Sequence, residues 1–145
     1  MVSHLCALVF IKPTIYWRRL FCNDCYFFQH LTSVNILASV TEISAFAGCT
    51  SLTSINIPDS VTKIGTYAFY DCTSLTSITI PDSVVEIGDC AFKNCSNLTK
   101  INIPDSVTEI GKDAFSGCRN FKEVRNIDTC KTRATCKCTN FCDRG

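Results

Sequence analysis

Several patterns that mark common protein classes are missing from this 145-residue sequence. It contains no apolar run near the roughly 20 residues that a membrane-spanning helix needs. Charged residues make up only 19% of the chain, the net charge is +1, and Arg18-Arg19 is the one adjacent basic pair. A basic surface for nucleic acid or an anionic membrane is therefore not indicated.

Groups suited to catalysis are equally scarce. The two histidines, His4 and His30, lie outside any nucleophile motif, and the sequence has no glycine-rich phosphate loop and no His-x-x-x-His pattern. We therefore predict a protein that is not an enzyme, with no catalytic residue, no cofactor and no metal site.

An export signal is also hard to identify. The run from Leu5 to Ile11 is apolar, but no basic segment precedes it and Lys12-Pro13 follows where small residues would permit cleavage. By this criterion the compartment is cytoplasmic.

The chain does contain a repeat with a period of 23 residues. The segment IPDSVTKIGTYAFYDCTSLTSIT at Ile57–Thr79 returns as IPDSVVEIGDCAFKNCSNLTKIN at Ile80–Asn102 and as IPDSVTEIGKDAFSGCRNFKEVR at Ile103–Arg125. Thirteen of the 23 positions are identical between the first two copies. A fixed period in this range is typical of a solenoid, in which each repeat forms one coil.

Each repeat divides into physical pieces. The β-branched segment Leu75–Ile80 predicts a strand, and Pro81 ends it because proline has no N–H to donate. Asp82 and Ser83 suit a turn in which their side chains bond nearby backbone amides. Val84 and Ile87 predict a second short strand, and Gly88 is expected to supply a positive φ. The spacing of Phe92, Cys95 and Leu98 predicts a helical or 3₁₀ turn.

Stacked repeats would bury four apolar ladders, which consist of Ile57/Ile80/Ile103, Val61/Val84/Val107, Ile64/Ile87/Ile110 and Phe46/Phe69/Phe92/Phe115. An earlier, shortened copy begins at Leu31, since Leu31–Ile36 matches Leu52–Ile57 only 21 residues later. Its glycine turn is reduced to Ile43-Ser44-Ala45-Phe46. We therefore predict a solenoid over residues 31–126.

The two ends differ from the repeats in composition. Residues 1–30 contain seven of the fifteen aromatic residues and no glycine, which is compatible with an end cap or with a segment that does not fold. Residues 127–145 are polar and rich in cysteine, and we predict that they are disordered.

The repeat pattern Ile-Pro-Asp-Ser-Val-Thr-x-Ile-Gly-x-x-Ala-Phe-x-x-Cys-x-x-Leu-x-x-Ile resembles the BspA-type leucine-rich repeat over about Leu31 to Val124. The resemblance implies a right-handed solenoid with a parallel β-sheet on its concave face, short second strands, and helical or 3₁₀ turns on the convex side. Members of that family are often surface antigens or adhesins that bind other proteins. This implies a cell-surface or secreted location, so the compartment stays open.

The sequence contains twelve cysteines, and four of them recur at one repeat position. Cys49, Cys72, Cys95 and Cys118 are predicted to be buried structural thiols, although a disulfide or redox role is the alternative. Cys90 occupies a variable position and is expected to contact solvent.

The terminal cysteines allow more than one chemistry. Cys22-Asn23-Asp24-Cys25 has the spacing of a zinc or redox half-site, and the tail holds Cys130, Cys136, Cys138 and Cys142. Zinc, disulfides and unstructured thiols remain alternatives for them. The repeated Asp59, Asp82 and Asp105 suit turns, with a cation between coils as the alternative.

We predict a protein-interaction module that binds through the concave face. The candidate binding residues are the outward strand positions Ser54, Asn56, Ser77, Thr79, Lys100, Asn102, Lys122, Glu123 and Arg125, together with Thr53, Thr76 and Thr99. The alternatives are a secreted or surface adhesin fragment with oxidised terminal cysteines, and a truncated family member with no function of its own. The partner is a protein of unknown identity.

Overall fold

Seven short strands form the framework of the protein. Its structure is a computed structural model that describes residues 29–120 and 123–125. The strands are β1 Glu42–Ile43, β2 Lys63–Ile64, β3 Ser77–Thr79, β4 Glu86–Ile87, β5 Lys100–Asn102, β6 Glu109–Ile110 and β7 Glu123–Arg125. We number the coils of the solenoid coil 1 (31–51), coil 2 (52–74), coil 3 (75–97) and coil 4 (98–120).

Two parallel sheets run along the stack of coils. One sheet has the order β3-β5-β7, and we call it the concave sheet. The other has the order β1-β2-β4-β6, and we call it the second sheet. Each strand pairs with the strand at the same position in the next coil, as Ile78 does with Ile101. The predicted parallel solenoid with a second set of short strands is confirmed.

The core lies between these sheets and the turns on the convex side. Every residue of the four predicted apolar ladders is buried, and Phe69, Phe92, Val61 and Ile64 have no exposed surface. The Phe rings stack with centroids 5.6, 5.1 and 5.3 Å apart along Phe46, Phe69, Phe92 and Phe115. Because one coil cannot cover these side chains alone, the stacking of coils is what creates the core.

Coil 1 is shortened where the sequence predicts it. Glu42 and Ile43 pair with Lys63 and Ile64, an offset of 21 residues. Three residues later the ring of Phe46 already stacks on Phe69, an offset of 23. The two missing residues therefore fall between Ile43 and Phe46, and the coil keeps both its strand pairing and its place in the Phe ladder.

The convex side contains isolated turns with i→i−3 hydrogen bonds, but no continuous helix or 3₁₀ segment is found within the described residues. Alternate N–H groups there donate to the residue three positions back, as Cys95 does to Phe92, while Phe92 and Asn94 donate to the next coil. Tyr67, Cys90 and Asp113, at one repeat position, all have a positive φ between 53° and 59°. Bonds between coils and left-handed residues replace the helix, since a left-handed residue cannot continue a right-handed turn.

The prediction that Gly88 supplies a positive φ is wrong. The positive-φ glycines of the described residues are Gly48 and Gly117. At Gly88 a Cβ would lie 2.6 Å from the backbone N of Thr66 and 2.7 Å from the carbonyl C of Gly65. Glycine occupies this position because the backbones of neighbouring coils approach each other too closely for a side chain.

The serine of the Ile-Pro-Asp-Ser-Val motif bonds to a neighbouring coil, rather than to a nearby amide as expected. The hydroxyl of Ser83 donates to the carbonyl of Val61 at 2.6 Å. Ser60 and Ser106 make the same bond to Val40 and Val84, at 2.7 and 2.8 Å. These bonds connect each coil to the one before it.

The predicted end segments, 1–30 and 127–145, lie almost wholly outside the described residues, which begin at residue 29. Within the part that is described, no helix is long and apolar enough to cross a membrane.

Candidate protein-binding surface

The outward positions of the concave sheet form two rows that run across the coils. In the first row Ser77 pairs with Lys100, and Lys100 with Glu123. In the second row the register continues through isolated bridges into the first coils, and its members are Asn35, Asn56, Thr79, Asn102 and Arg125. Between the rows lie Ile78 and Ile101, whose side chains point into the core.

Most of the predicted binding residues lie on these rows. Ser54, Asn56, Ser77, Thr79, Lys100 and Asn102 are exposed. Glu123 and Arg125 occupy register positions on β7, and Lys122 lies outside the described residues. The alternation of strand residues therefore brings the candidates together on one surface, because every second side chain points to the same face.

The second row contains one residue that is not among the predicted binding residues. Asn35 is exposed and bridges to Asn56, so the second row extends into coil 1. The signal was present in the sequence, since the match of Leu31–Ile36 to Leu52–Ile57 aligns Asn35 with Asn56.

The threonines at the start of each concave strand have a structural role. The hydroxyls of Thr53, Thr76 and Thr99 donate to the carbonyls of Thr32, Thr53 and Thr76, at 3.3, 3.5 and 3.1 Å. Their backbone N–H groups donate to the same carbonyls. Each threonine thus ties its coil to the previous one, and its hydroxyl proton is already engaged.

Charge is concentrated on the second sheet. Glu42, Lys63, Glu86 and Glu109 lie in register there. The Nζ of Lys63 is 2.9 Å from Oε1 of Glu86, and this hydrogen bond, with the charge of Glu86, raises the pKa of Lys63. The concave sheet, by contrast, has Lys100 as its one charged outward side chain within residues 29–120.

The ladder cysteines are hydrogen-bonded structural thiols. Cys72, Cys95 and Cys118 donate to the carbonyls of Phe46, Phe69 and Phe92 at 3.1, 3.1 and 3.0 Å. None of the five cysteines of the described residues is in a disulfide. The structural role predicted for this ladder agrees with these bonds.

The environment of these thiols keeps them protonated. Burial raises the pKa of the Cys72 thiol to about 12. A hydrogen bond with the Cys118 thiol, together with burial, raises the pKa of Cys95. Since thiolates are the reactive form of cysteine, buried ladder thiols are poor nucleophiles. Cys90, which was expected to contact solvent, is half-buried.

The aspartates and cysteines considered as metal ligands form no metal-binding cluster within the described residues. Asp59, Asp82 and Asp105 are exposed, and their carboxylates make no hydrogen bond there. Within residues 29–120 no three His, Cys, Asp or Glu side chains lie close enough to hold a metal ion. The Cys22–Cys25 motif and the four tail cysteines lie outside the described residues.

Comparison with known families gives a match to the BspA type leucine rich repeat region, in six copies over residues 20–141. The chain belongs to this family. Its repeat match begins before and ends after the solenoid bounds of 31–126 that the sequence pattern predicts. Leucine-rich repeat proteins of this kind are typically non-catalytic, and membership indicates a role in protein interaction or at a surface.

Solved structures of bacterial leucine-rich repeat proteins resemble this BspA-type chain. A T. pallidum leucine rich repeat protein is 39% identical to this chain, with a TM-score of 0.63. The match covers 64% of this chain and 44% of the T. pallidum protein. A Bacteroides ovatus protein is 44% identical with a TM-score of 0.62, over 66% of this chain and 25% of its own.

A leucine rich cell surface protein from Faecalibacterium prausnitzii is 35% identical with a TM-score of 0.50, over 64% of this chain and 31% of its own. The chain therefore spans less than half the length of these relatives. No curated protein matches it.

Proposed function

We propose that this BspA-type chain is a protein-interaction module that binds its partner through the concave sheet. The observation that supports the proposal most directly is the segregation of roles among the outward side chains. Many serines and threonines elsewhere in the coils donate their hydroxyls to a neighbouring coil, as Ser83 and Thr99 do. The outward side chains of Asn56, Ser77, Thr79 and Asn102 are exposed and make no hydrogen bond within the described residues.

Solenoids use such extended faces for binding because successive coils offer a long row of independent side chains. The concave rows change in character along the stack, from Ser54 and Asn56 to Lys100 and then the β7 positions Glu123 and Arg125. We propose Lys100, Lys122, Glu123 and Arg125 as the residues that decide which partner binds.

The test is site-specific photo-cross-linking in an extract of the source cells. A photo-reactive amino acid is placed at Ser77 on the concave sheet and, as a matched control, at the exposed Val85 beside the second sheet. We expect a discrete protein adduct from Ser77 that unlabelled protein competes away and that Lys100→Ala reduces. An equal adduct from Val85, or indifference to Lys100→Ala, would contradict binding through this face.

A second candidate function is that of a secreted or surface adhesin whose terminal cysteines are oxidised. It is supported by the Faecalibacterium prausnitzii relative, which is described as a cell surface protein. The five described cysteines are not in disulfides, and of the twelve in the sequence this leaves seven for oxidation. Seven is odd, so intramolecular pairing would leave six titratable thiols in denatured protein purified without reductant. A count of twelve would exclude this candidate.

A third candidate is a truncated family member without an independent function. The partial coverage of its longer relatives supports this candidate. Limited proteolysis tests it, since protection confined to residues 31–125 favours it and protection of the ends counts against it.

A further inference from the structure

Three asparagines share the second row of the concave sheet. Asn35, Asn56 and Asn102 are exposed, and the register aligns them with Thr79. Asparagine is depleted in strands, where threonine is favoured. Among the residues that the structure describes, the side-chain amides of these three asparagines form no hydrogen bond. We call this set, with Thr79, the amide column.

Asparagines elsewhere in the chain behave differently. The amide of Asn94 donates to the carboxylate of Asp71, that of Asn97 to the carbonyl of Thr73, and that of Asn120 to the carbonyl of Ser96, each at 2.8 Å. These side chains stabilise the contact between coils. The asparagines of the amide column have no such bond, so coil stacking does not explain their presence at the paired positions of the concave sheet.

A primary amide offers one acceptor oxygen and two N–H donors, the same chemistry as a peptide group. It therefore pairs with main-chain N–H and C=O groups. The column also matches a peptide main chain in being polar and neutral, because its four members are uncharged and the row has no carboxylate within residues 29–120.

The spacing of the column suits an extended chain. Neighbouring strands lie about 4.8 Å apart, so Asn56 and Asn102, two coils apart, are separated by about 10 Å along the stack. An extended peptide advances about 3.3 Å per residue, so three of its residues span this distance. A segment that runs along the stack thus meets Asn56 and Asn102 about three residues apart. Asn35, in the coil next to Asn56, lies about 4.8 Å from it, a distance of between one and two residues.

We propose that the amide column binds an extended, unfolded segment of the partner protein by hydrogen bonds to its main chain. This inference rests on the proposed function and adds the class of partner. Recognition of the main chain makes binding tolerant of partner sequence, while the charged end of the concave sheet adds selectivity.

The experiment uses the full chain and a pool of blocked, uncharged dodecapeptides of randomised sequence. The readout is the ¹H–¹⁵N shift of the side-chain amides of Asn35, Asn56 and Asn102 at millimolar peptide. Two comparison ligands are the same pool N-methylated at every second main-chain nitrogen, and a neutral oligosaccharide. Methylation removes the N–H donors and leaves the peptide uncharged.

Three variants accompany the titration, with backbone shifts of β3 and β5 as their readout. Asn35→Thr/Asn56→Thr/Asn102→Thr removes the amides and keeps the fold, because Thr79 shows that threonine fits this row. Thr79→Asn completes the column, and Val85→Thr beside the second sheet is the matched control, because Val85 is exposed and the equivalent residues Thr62 and Thr108 are threonines. We expect binding at least tenfold weaker in the triple variant, about fivefold tighter in Thr79→Asn, and unchanged in Val85→Thr. One hydrogen bond changes affinity by about fivefold.

The proposal is overturned if the pool causes no shift, if the N-methylated pool binds equally well, or if only the oligosaccharide binds. Failure of this proposal is distinct from failure of the proposed function. If a partner cross-links at Ser77 but the peptides cause no shift, the proposal that the concave sheet binds a protein stands. Only the proposal that the partner contributes an extended segment then fails.

Discussion

The thiol of Cys95 donates a hydrogen bond to the carbonyl of Phe69, which lies 26 residues earlier in the chain, at 3.1 Å. The same carbonyl also accepts the backbone N–H of Cys72. One oxygen thus joins a turn to the coil that follows it, and the bond repeats at Cys72 and Cys118. A recurring cysteine in this chain is explained by stacking and needs no reactive role.

The first prediction concerns this bond. Cys95→Ala removes the donor and leaves a small cavity in the core, while Phe69 keeps its backbone partner. We expect the free energy of unfolding to fall by about 1–2 kcal/mol. Cys90→Ala, at a half-buried and variable position, should change it by less than about 0.5 kcal/mol. Urea denaturation measures both, and equal effects would show that the bond between coils contributes nothing.

The second prediction concerns pH. The pKa of Cys72 rises from its ordinary value of 9.0 to about 12 on folding because of burial. Below pH 9 the thiol is neutral in both states, so its contribution to stability is complete. Above that pH the unfolded thiol ionises and the folded one does not, so stability falls as pH rises toward 12.

Denaturation at pH 8 to 10 tests this sign. Cys72→Ala should reduce the loss of stability across this range by up to about 1.4 kcal/mol per pH unit. Identical pH profiles for the wild type and Cys72→Ala would contradict the raised pKa.

The third prediction compares two glycines at the same repeat position. At Gly88 an added Cβ would lie 2.6 Å from backbone, whereas at Gly65 the nearest atoms are 3.1 Å away. We expect Gly88→Ala to destabilise the protein by about 1–3 kcal/mol, as overpacking does, and Gly65→Ala to cost less. Thermal denaturation of the two variants measures this order, and the reverse order would contradict the close approach of coils 2 and 3.

The fourth prediction concerns the Phe ladder. Phe92 has no exposed surface, and its ring lies between those of Phe69 and Phe115. Phe92→Ala should reduce the free energy of unfolding by about 3–5 kcal/mol, and Phe92→Leu by less because it keeps most of the buried volume. A loss below about 1 kcal/mol for Phe92→Ala would mean that coils 2 to 4 do not unfold as one unit.

Much of this fold can be predicted from the sequence because its period aligns the chemistry of each coil. Isoleucine alternation in Ile78–Ile80 predicts the buried face of β3, and the two-residue deficit before Phe46 predicts the short coil 1. The repeat also places the binding candidates on one face of the sheet, since strand alternation follows directly from residue order.

The departures all involve contacts between coils. Ser83 bonds to Val61 in the previous coil, Gly88 is required by the backbone of Thr66, and Cys90 adopts a positive φ within a turn that bonds to the next coil. The sequence of one repeat does not show which atoms of the next coil lie against it. The sequence therefore predicts only contacts within a coil for these residues. The repeat does not predict the partner either, because the side chains of the rows that would contact it vary from coil to coil.

The central claim is that the concave rows bind a protein and that the rest of each coil maintains the scaffold. Its most direct test is the affinity of the partner cross-linked at Ser77 for Ser77→Ala/Thr79→Ala/Lys100→Ala, alongside Thr62→Ala/Val85→Ala beside the second sheet. We predict at least about tenfold weaker binding, or about 1.4 kcal/mol, for the concave variant with an unchanged unfolding midpoint, and wild-type affinity for the control. Equal affinity of both variants for the partner would contradict the claim.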